Sequence, residues 1–192
     1  MAWLTNLAGS YFATGRRPQK LGNAHPNIVP YQPFRAADKY LIVAVGSERL
    51  WERFCQALDV ADTIGRDPRF AVNQDRLRHR AELIPQLEQI LATQDAAFWL
   101  ERLRAADIPC GPINEVDETL NDPHLQARGM IVELEHPSVG PVRSLGNPVH
   151  LGSTPVSYRL PPPALGQHTA EILESLGYEA AGIERLAATQ AI

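Results

Sequence analysis

Residues 34–58 read FRAADKYLIVAVGSERLWERFCQAL, and several local signals succeed one another along them. Phe34–Ala36 and Tyr40–Val45 predict two strands joined through Ala37-Asp38-Lys39. The second, YLIVAV, is an unbroken apolar run, which predicts a strand buried on both faces. Ser47 is a residue type that caps helix N-termini. Behind it Leu50, Trp51, Phe54, Cys55 and Leu58 recur on one helical face. A strand passing directly into an amphipathic helix predicts a mixed α/β chain.

Upstream, residues 2–14 place Leu4, Leu7, Ala8, Tyr11 and Phe12 at helical spacing, and Gly15 with the basic run Arg16-Arg17 and Pro18 predicts the stop. Residues 18–33, PQKLGNAHPNIVPYQP, hold four prolines and one glycine. Such a segment forms no regular element, and connections this long are commonly functional. Its Leu21, Ile28, Val29 and Tyr31 predict an ordered loop.

Downstream, residues 59–73 read as a polar connector. Residues 74–93 predict the longest helix, with Leu77, Leu83, Ile84, Leu87, Ile90 and Leu91 inward and Arg76, Arg78, Arg80 and Glu88 mostly solvated. Asp95 caps a helix through Ala106 with Phe98, Trp99, Leu100 and Leu103 as its core stripe. Residues 108–116 form a tight turn into a short extended piece. Asn121-Asp122-Pro123 opens a short helix that ends at Gly129. Strands are predicted at Met130–Glu135 and about Pro141–Ser144, then a Pro- and Gly-rich stretch over 146–166. Helices Thr169–Leu176 and Ala180–Ala188 close the chain.

Composition excludes several function classes. The 192 residues are 44% hydrophobic and 21% charged, and the net charge is −4. That balance argues against intrinsic disorder. It also argues against nucleic acid as a partner, which needs a concentrated basic face. Two cysteines, Cys55 and Cys110, are too few for a disulfide framework and fit a reducing cytosol. The N-terminus is apolar before it is basic, the reverse of a signal peptide. No run approaches the ~18–20 apolar residues that span a bilayer. A cytoplasmic protein without membrane contact is the expectation.

The motifs of the commoner chemistries are missing. The six histidines are scattered singly, without the HExxH or CxxC spacing of metal sites, so no metal is predicted. Phosphate-cradling glycine motifs and the GxSxG nucleophile elbow do not occur. Cys110, between Pro109 and Gly111-Pro112, has no neighbouring cation to lower its pKa and reads as a structural thiol. The loop 21–32, LGNAHPNIVPYQ, offers more. Gly22 and Asn23 permit backbone conformations that bring N–H groups close to a ligand. His25 and Gln32 add side-chain donors, Tyr31 adds a polar-tipped aromatic wall, and Pro26 lies between them. Such a cluster suits a thioester or carboxylate oxygen. The residues alone leave open a second possibility, a long connector whose polar side chains are incidental.

Three ordered blocks resemble one known family. Residues 11–46, YFATGRRPQKLGNAHPNIVPYQPFRAADKYLIVAVG, resemble the Y-(L/F)-A-T-G…G-N-x-H-P-x-I-x-P-Y-Q-x-F segment of the class III CoA-transferases, the CaiB/BaiF family that includes formyl-CoA transferase-like enzymes. Residues 105–134, AADIPCGPINEVDETLNDPHLQARGMIVEL, resemble the family's G-(I/V)-P-C-G-P-(V/I)…(D)-P-(H/Q)-(L/V)-x-x-R-(G/E)-M stretch. Residues 161–178, PPPALGQHTAEILESLGY, resemble its closing P-x-L-G-(E/Q)-H-(T)…(I/V)-L-x-x-L-G-(Y/L).

The resemblance implies the C-terminal part of that fold: a linker helix and active-site loop over 1–35, a small α+β domain over 36–130, and a segment over 131–192 returning to a Rossmann-like large domain. It implies CoA transfer between carboxylic acids through aspartyl-anhydride and aspartyl-CoA thioester intermediates. Acyl-CoA and carboxylic acid are then substrates, with no permanently bound cofactor. The nucleophilic aspartate would lie in an N-terminal half that this chain lacks. Asp38, Asp67, Asp107 and Asp122 match non-catalytic segments, so no catalytic residue is assigned here. Gly22, Asn23, His25, Pro26, Tyr31 and Gln32 map to the loop that shields reactive intermediates from water. Partners implied are the N-terminal half and a second copy in an interlocked dimer. Two alternatives accompany this expectation, an acyl-CoA racemase of the same fold and an inactive truncated fragment. Racemase members carry a Gly-Gly-Ala-Pro-Tyr-like loop, and GNAHPNIVPYQ sits on the transferase side.

Overall fold

A computed structural model describes residues 4–192. The chain divides into two compact units, one ending at Ile113 and one running Asn114–Ile192. The fold is mixed α and β, as the sequence predicts. No helix among the described residues is long and apolar enough to cross a membrane.

In the first unit, helix α1 spans Thr5–Thr14 and ends on Gly15, whose φ of 66° closes the C-cap and whose N–H donates to the Tyr11 carbonyl. Residues 2 and 3 of the predicted helix lie outside the described residues. The apolar stripe of α1 finds no cover there: Tyr11 and Phe12 are exposed, and none of its residues is buried.

Strands β1 (Tyr31–Arg35), β2 (Tyr40–Ala44) and β3 (Cys110–Pro112) form an antiparallel sheet in that order. Phe34 faces Leu41, and Val43 faces Cys110. Pro33 is tolerated because β1 is an edge strand, where a missing donor breaks no ladder. The prediction that β2 is buried on both faces fails. Leu41, Val43 and Val45 are buried while Tyr40 and Ile42 are exposed. In this three-stranded sheet the described helices cover one face only, so burial alternates with period two.

Helix α2 (Glu48–Ala57) starts where Ser47 Oγ accepts from the Leu50 N–H, and it buries Trp51, Phe54, Cys55 and Ala57. The connector after it is less polar in practice than in sequence. Two 3-10 turns, Ile64–Arg66 and Pro68–Phe70, push Ile64 and Phe70 into the core. The single helix expected over 74–93 is two, α3 (Asn73–Arg78) and α4 (Arg80–Leu91), hinged at His79. The hinge lets Arg76 enter the core, so the expectation that it is solvated is wrong; Arg76 is 0% exposed. Helix α5 (Ala96–Ala105) is capped by Asp95 and buries Ala96, Trp99, Leu100 and Leu103. Phe98 departs from the expected stripe: it is exposed, with the Arg102 guanidinium 5.6 Å from its ring centroid.

The short extended piece expected within 108–116 is β3, and the second unit opens after it with a helix the sequence reading did not place, α6 (Val116–Leu120). A reciprocal cap between Glu115 and Glu118 nucleates it. Asp122 then caps α7 (Pro123–Ala127). Strands β4 (Ile131–His136) and β5 (Gly140–Leu145) make an antiparallel hairpin, and α8 (Thr169–Ser175) and α9 (Ala180–Ala188) follow.

Candidate functional site

The loop between α1 and β1 takes its shape from backbone chemistry. Gly22 sits at φ 59°, in the left-handed region, with open space where a Cβ would stand. It is therefore needed for its conformation, which allows the Ala24 N–H to reach the Leu21 carbonyl at 3.1 Å. Asn23 is exposed at the same turn. The loop then closes on itself, because the His25 N–H donates to the Tyr31 carbonyl at 2.8 Å. The His25 ring stacks on Tyr31, with centroids 5.2 Å apart and planes 9° from parallel. His25 Nδ1 accepts from the Asn27 N–H at 3.1 Å. Nδ1 is thus engaged within the loop, and Nε2 is the ring's other polar atom.

Beneath the loop lie α3 and α4. Arg80 Nη2 donates to the His25 carbonyl at 2.6 Å. Asn73 Nδ2 donates to the Asn27 carbonyl at 2.8 Å, and its Oδ1 accepts the Val29 N–H at 3.0 Å. Arg76 Nε donates to the Val29 carbonyl at 2.8 Å and Nη1 to the Phe70 carbonyl at 3.0 Å. Arg76 Nη2 lies 2.8 Å from Glu48 Oε2, and its guanidinium sits 4.8 Å from the Trp51 ring centroid. Glu48 Oε1 in turn accepts the Asn73 N–H at 2.8 Å. Burial pulls the Arg80 guanidinium below its ordinary pKa, yet an arginine so placed stays charged at neutral pH.

Of the six loop residues singled out from sequence, the structure brings His25 and Tyr31 into contact, with Pro26 next to His25. Gln32 is not brought to them. Adjacent strand residues point to opposite faces, and Gln32, opposite Val43, shares the core-side face with Phe34. Asn73, Arg76 and Arg80 escape a sequence reading that treats arginines on a long helix as solvated. No local signal marks them, because the loop groups they hold lie 44 to 55 positions away in sequence.

Between α1 and the loop runs an open groove of about 870 Å³, lined by Thr5, Ser10, Arg16, Arg17, His25 and Pro26 among others. Among its described lining residues Arg16 and Arg17 are the charged ones, and none is a carboxylate. The groove therefore suits an anionic or hydrogen-bond-accepting ligand.

The two thiols are poor nucleophiles. Burial pushes Cys55 up to about 12 and raises Cys110 as well. The carboxylates of Asp59 and Asp67 are held below their usual range by the guanidinium groups of Arg102 and Arg69, which suits ion pairing rather than proton transfer. Among the described residues no three His, Cys, Asp or Glu side chains converge as metal ligands.

Comparison with known proteins assigns the architecture. The chain is 38% identical over 180 residues to succinate–glutarate CoA-transferase of Agrobacterium fabrum, covering 91% of this chain and 44% of that protein. It is 34% identical over 187 residues to succinyl-CoA:glutarate CoA-transferase of Mus musculus, covering 97% of this chain and 43% of the relative. The chain thus spans less than half the length of these relatives. The structure is similar to a CaiB/BaiF family protein from Brucella suis, with a TM-score of 0.74 and 33% identity over 90% of this chain and 44% of that one. The family CoA-transferase family III matches residues 1–169, and this chain belongs to it.

Proposed function

We propose that this chain supplies the active-site loop and small domain of an enzyme that moves CoA between carboxylic acids. The observation that carries the proposal is His25, stacked on Tyr31 and lining a groove that also holds Arg16 and Arg17 and, among its described lining residues, no carboxylate. Residues 1–35 then act as linker helix and loop, 36–130 as small domain, and 131–192 as the segment returning to the large domain. The relatives named above act on succinate and glutarate, so dicarboxylic acids are the substrate class proposed, with acyl-CoA as donor.

In the proposed reaction an aspartate carboxylate, from the polypeptide portion that this chain does not cover, attacks the acyl-CoA carbonyl. A mixed anhydride forms and CoA thiolate leaves. The thiolate attacks the aspartyl carbonyl, giving aspartyl-CoA thioester and the free first acid. The acceptor carboxylate displaces the thiolate to form a second anhydride. Thiolate attack on its acyl carbonyl then releases the new acyl-CoA and restores the aspartate. Each intermediate is destroyed by water. The contribution of this chain is to exclude water with the loop over 22–26 and to offer donors to developing negative charge on oxygen.

The exposed α1 stripe supports further polypeptide as a partner, either the large-domain half or a second copy. The test combines this chain with the complementary N-terminal portion and incubates them with succinyl-CoA and a panel of acids. New acyl-CoA from glutarate in the reconstituted enzyme, and none from this chain alone, is the expected result. Loss of an α-deuteron from a branched acyl-CoA without transfer would mark a racemase instead. Silence in both assays would mark an inactive fragment.

A further inference from the structure

Residues 25–30, HPNIVP, reach β1 with a backbone poor in donors, because Pro26 and Pro30 carry no N–H. The carbonyls of three alternate residues still need partners. His25, Asn27 and Val29 each accept from one side chain of the helices beneath, namely Arg80, Asn73 and Arg76 in that order. The donors come from two helices, Asn73 and Arg76 from α3 and Arg80 from the first turn of α4, and they converge on one irregular loop. Asn73 also takes the Val29 N–H, so its amide pairs with the loop as a strand backbone would. Glu48 ties the set together from α2 by holding both the Asn73 N–H and the Arg76 guanidinium.

We propose that Asn73, Arg76 and Arg80 are positioning residues, a side-chain brace under the loop that sets where His25, which lines the groove, and the Tyr31 ring stacked on it are held. Arg76 is wholly buried and serves the core as well. Arg80 is half-buried, and its bond goes to His25, the loop residue that carries the ring. Two of the three bonds have a charged donor, and charge-assisted bonds resist loop opening more than neutral ones. The catalytic part of this inference rests on the function proposed above; the structural part does not.

Hydrogen exchange measured by mass spectrometry on this chain tests the structural part. Replacing Arg80→Met is expected to speed exchange at the His25 and Asn27 amides about tenfold, and Asn73→Leu to do the same at Val29, as loss of a bond to a buried acceptor would. The β2 amides should keep their wild-type rates. Arg80→Lys, which retains one charged donor, should recover most of the protection. Unchanged loop exchange in both variants overturns the proposal, as does loosening of β2 in step with the loop. In the reconstituted enzyme, Arg80→Met is expected to raise acyl-CoA hydrolysis relative to transfer, with Arg80→Lys restoring the ratio. An equal fall in both rates overturns the positioning role. If the wild-type enzyme transfers no CoA, the proposed function fails while the exchange result still decides the clamp.

Discussion

The stretch from Val29 to Ile108 and the stretch from Asn114 to Ile192 use the same kinds of element and bury them very differently. Every buried hydrophobic side chain among the described residues lies in the first. There α2, α4 and α5 close over one face of the sheet, with Phe34, Leu41, Phe54, Leu87 and Leu103 in a single cluster. In the second, Leu145 is 69% exposed, Leu165 is fully exposed and Leu176 is 69% exposed. Its helices and hairpin nevertheless form, because their signals are local: the Glu115–Glu118 cap, Asp122-Pro123, and Gly140 at φ 77° in the hairpin turn. Secondary structure thus needs only neighbours in sequence, whereas a core needs a second layer.

The comparison predicts that equivalent truncations cost unequal amounts. Phe54→Ala should destabilise the first unit by about 3–5 kcal/mol, whereas Ile172→Ala should stay within about 0.5 kcal/mol. Urea denaturation followed by tryptophan emission reads the first, since Trp51 and Trp99 both lie in that core. A small loss for Phe54→Ala would break the contrast.

A finer contrast separates two arginines on one helix. Arg76→Met strands the Val29 and Phe70 carbonyls and takes from Glu48 its cation, at about 3 kcal/mol. Arg78→Met removes an exposed i,i+3 pair with Asp75, at no more than about 0.5 kcal/mol. Equal effects in thermal melts would show that burial of Arg76 has no energetic weight.

The thiols sharpen the same boundary at the level of reactivity. With Cys55 pushed up to about 12, almost no thiolate exists at pH 8. An aromatic disulfide reagent should leave Cys55 untouched and react slowly with Cys110, then titrate both on unfolding. Prompt reaction of Cys55 in the native protein would mean that the core opens.

The smallest effect is acid sensitivity. Asp59 and Asp67 have lowered folded pKa values through Arg102 and Arg69. A lowered folded value adds stability above the unfolded pKa, about 4 for aspartate, and that stability is lost as pH falls through the folded values. Asp59 is exposed and Asp67 half-buried, so the first unit should hold a flat denaturation midpoint from pH 8 to 6 and decline modestly below about pH 4. High salt should blunt the decline.

Much of the element order is legible in residues 34–58 and in the caps. Ser47, Asp95 and Asp122 start helices where the sequence expects them, since each oxygen meets an N–H two or three residues away. Where partners are distant in sequence, expectation fails. Nothing local distinguishes Arg76 from Arg78, or tells that Phe70 in a polar connector reaches the core. The loop stood out by composition; in the structure Gly22 shapes its turn and the His25 ring stacks on Tyr31. Gln32 fell on the other face because strand pairing, not proximity in sequence, sets which way it points. The residues beneath the loop went unseen because their partners are 44 to 55 positions away.

The sequence by itself determined the helices, turns and hairpins, and its three blocks carried the resemblance that the comparisons bear out. Those are matters of periodicity, capping and proline or glycine geometry, which act over a few residues. Tertiary structure alone decided which face of β2 is covered, which arginine is buried and which side chains hold the loop. Each of those depends on surfaces brought together from far along the chain, where desolvation turns a surface cation into a core hydrogen-bond donor.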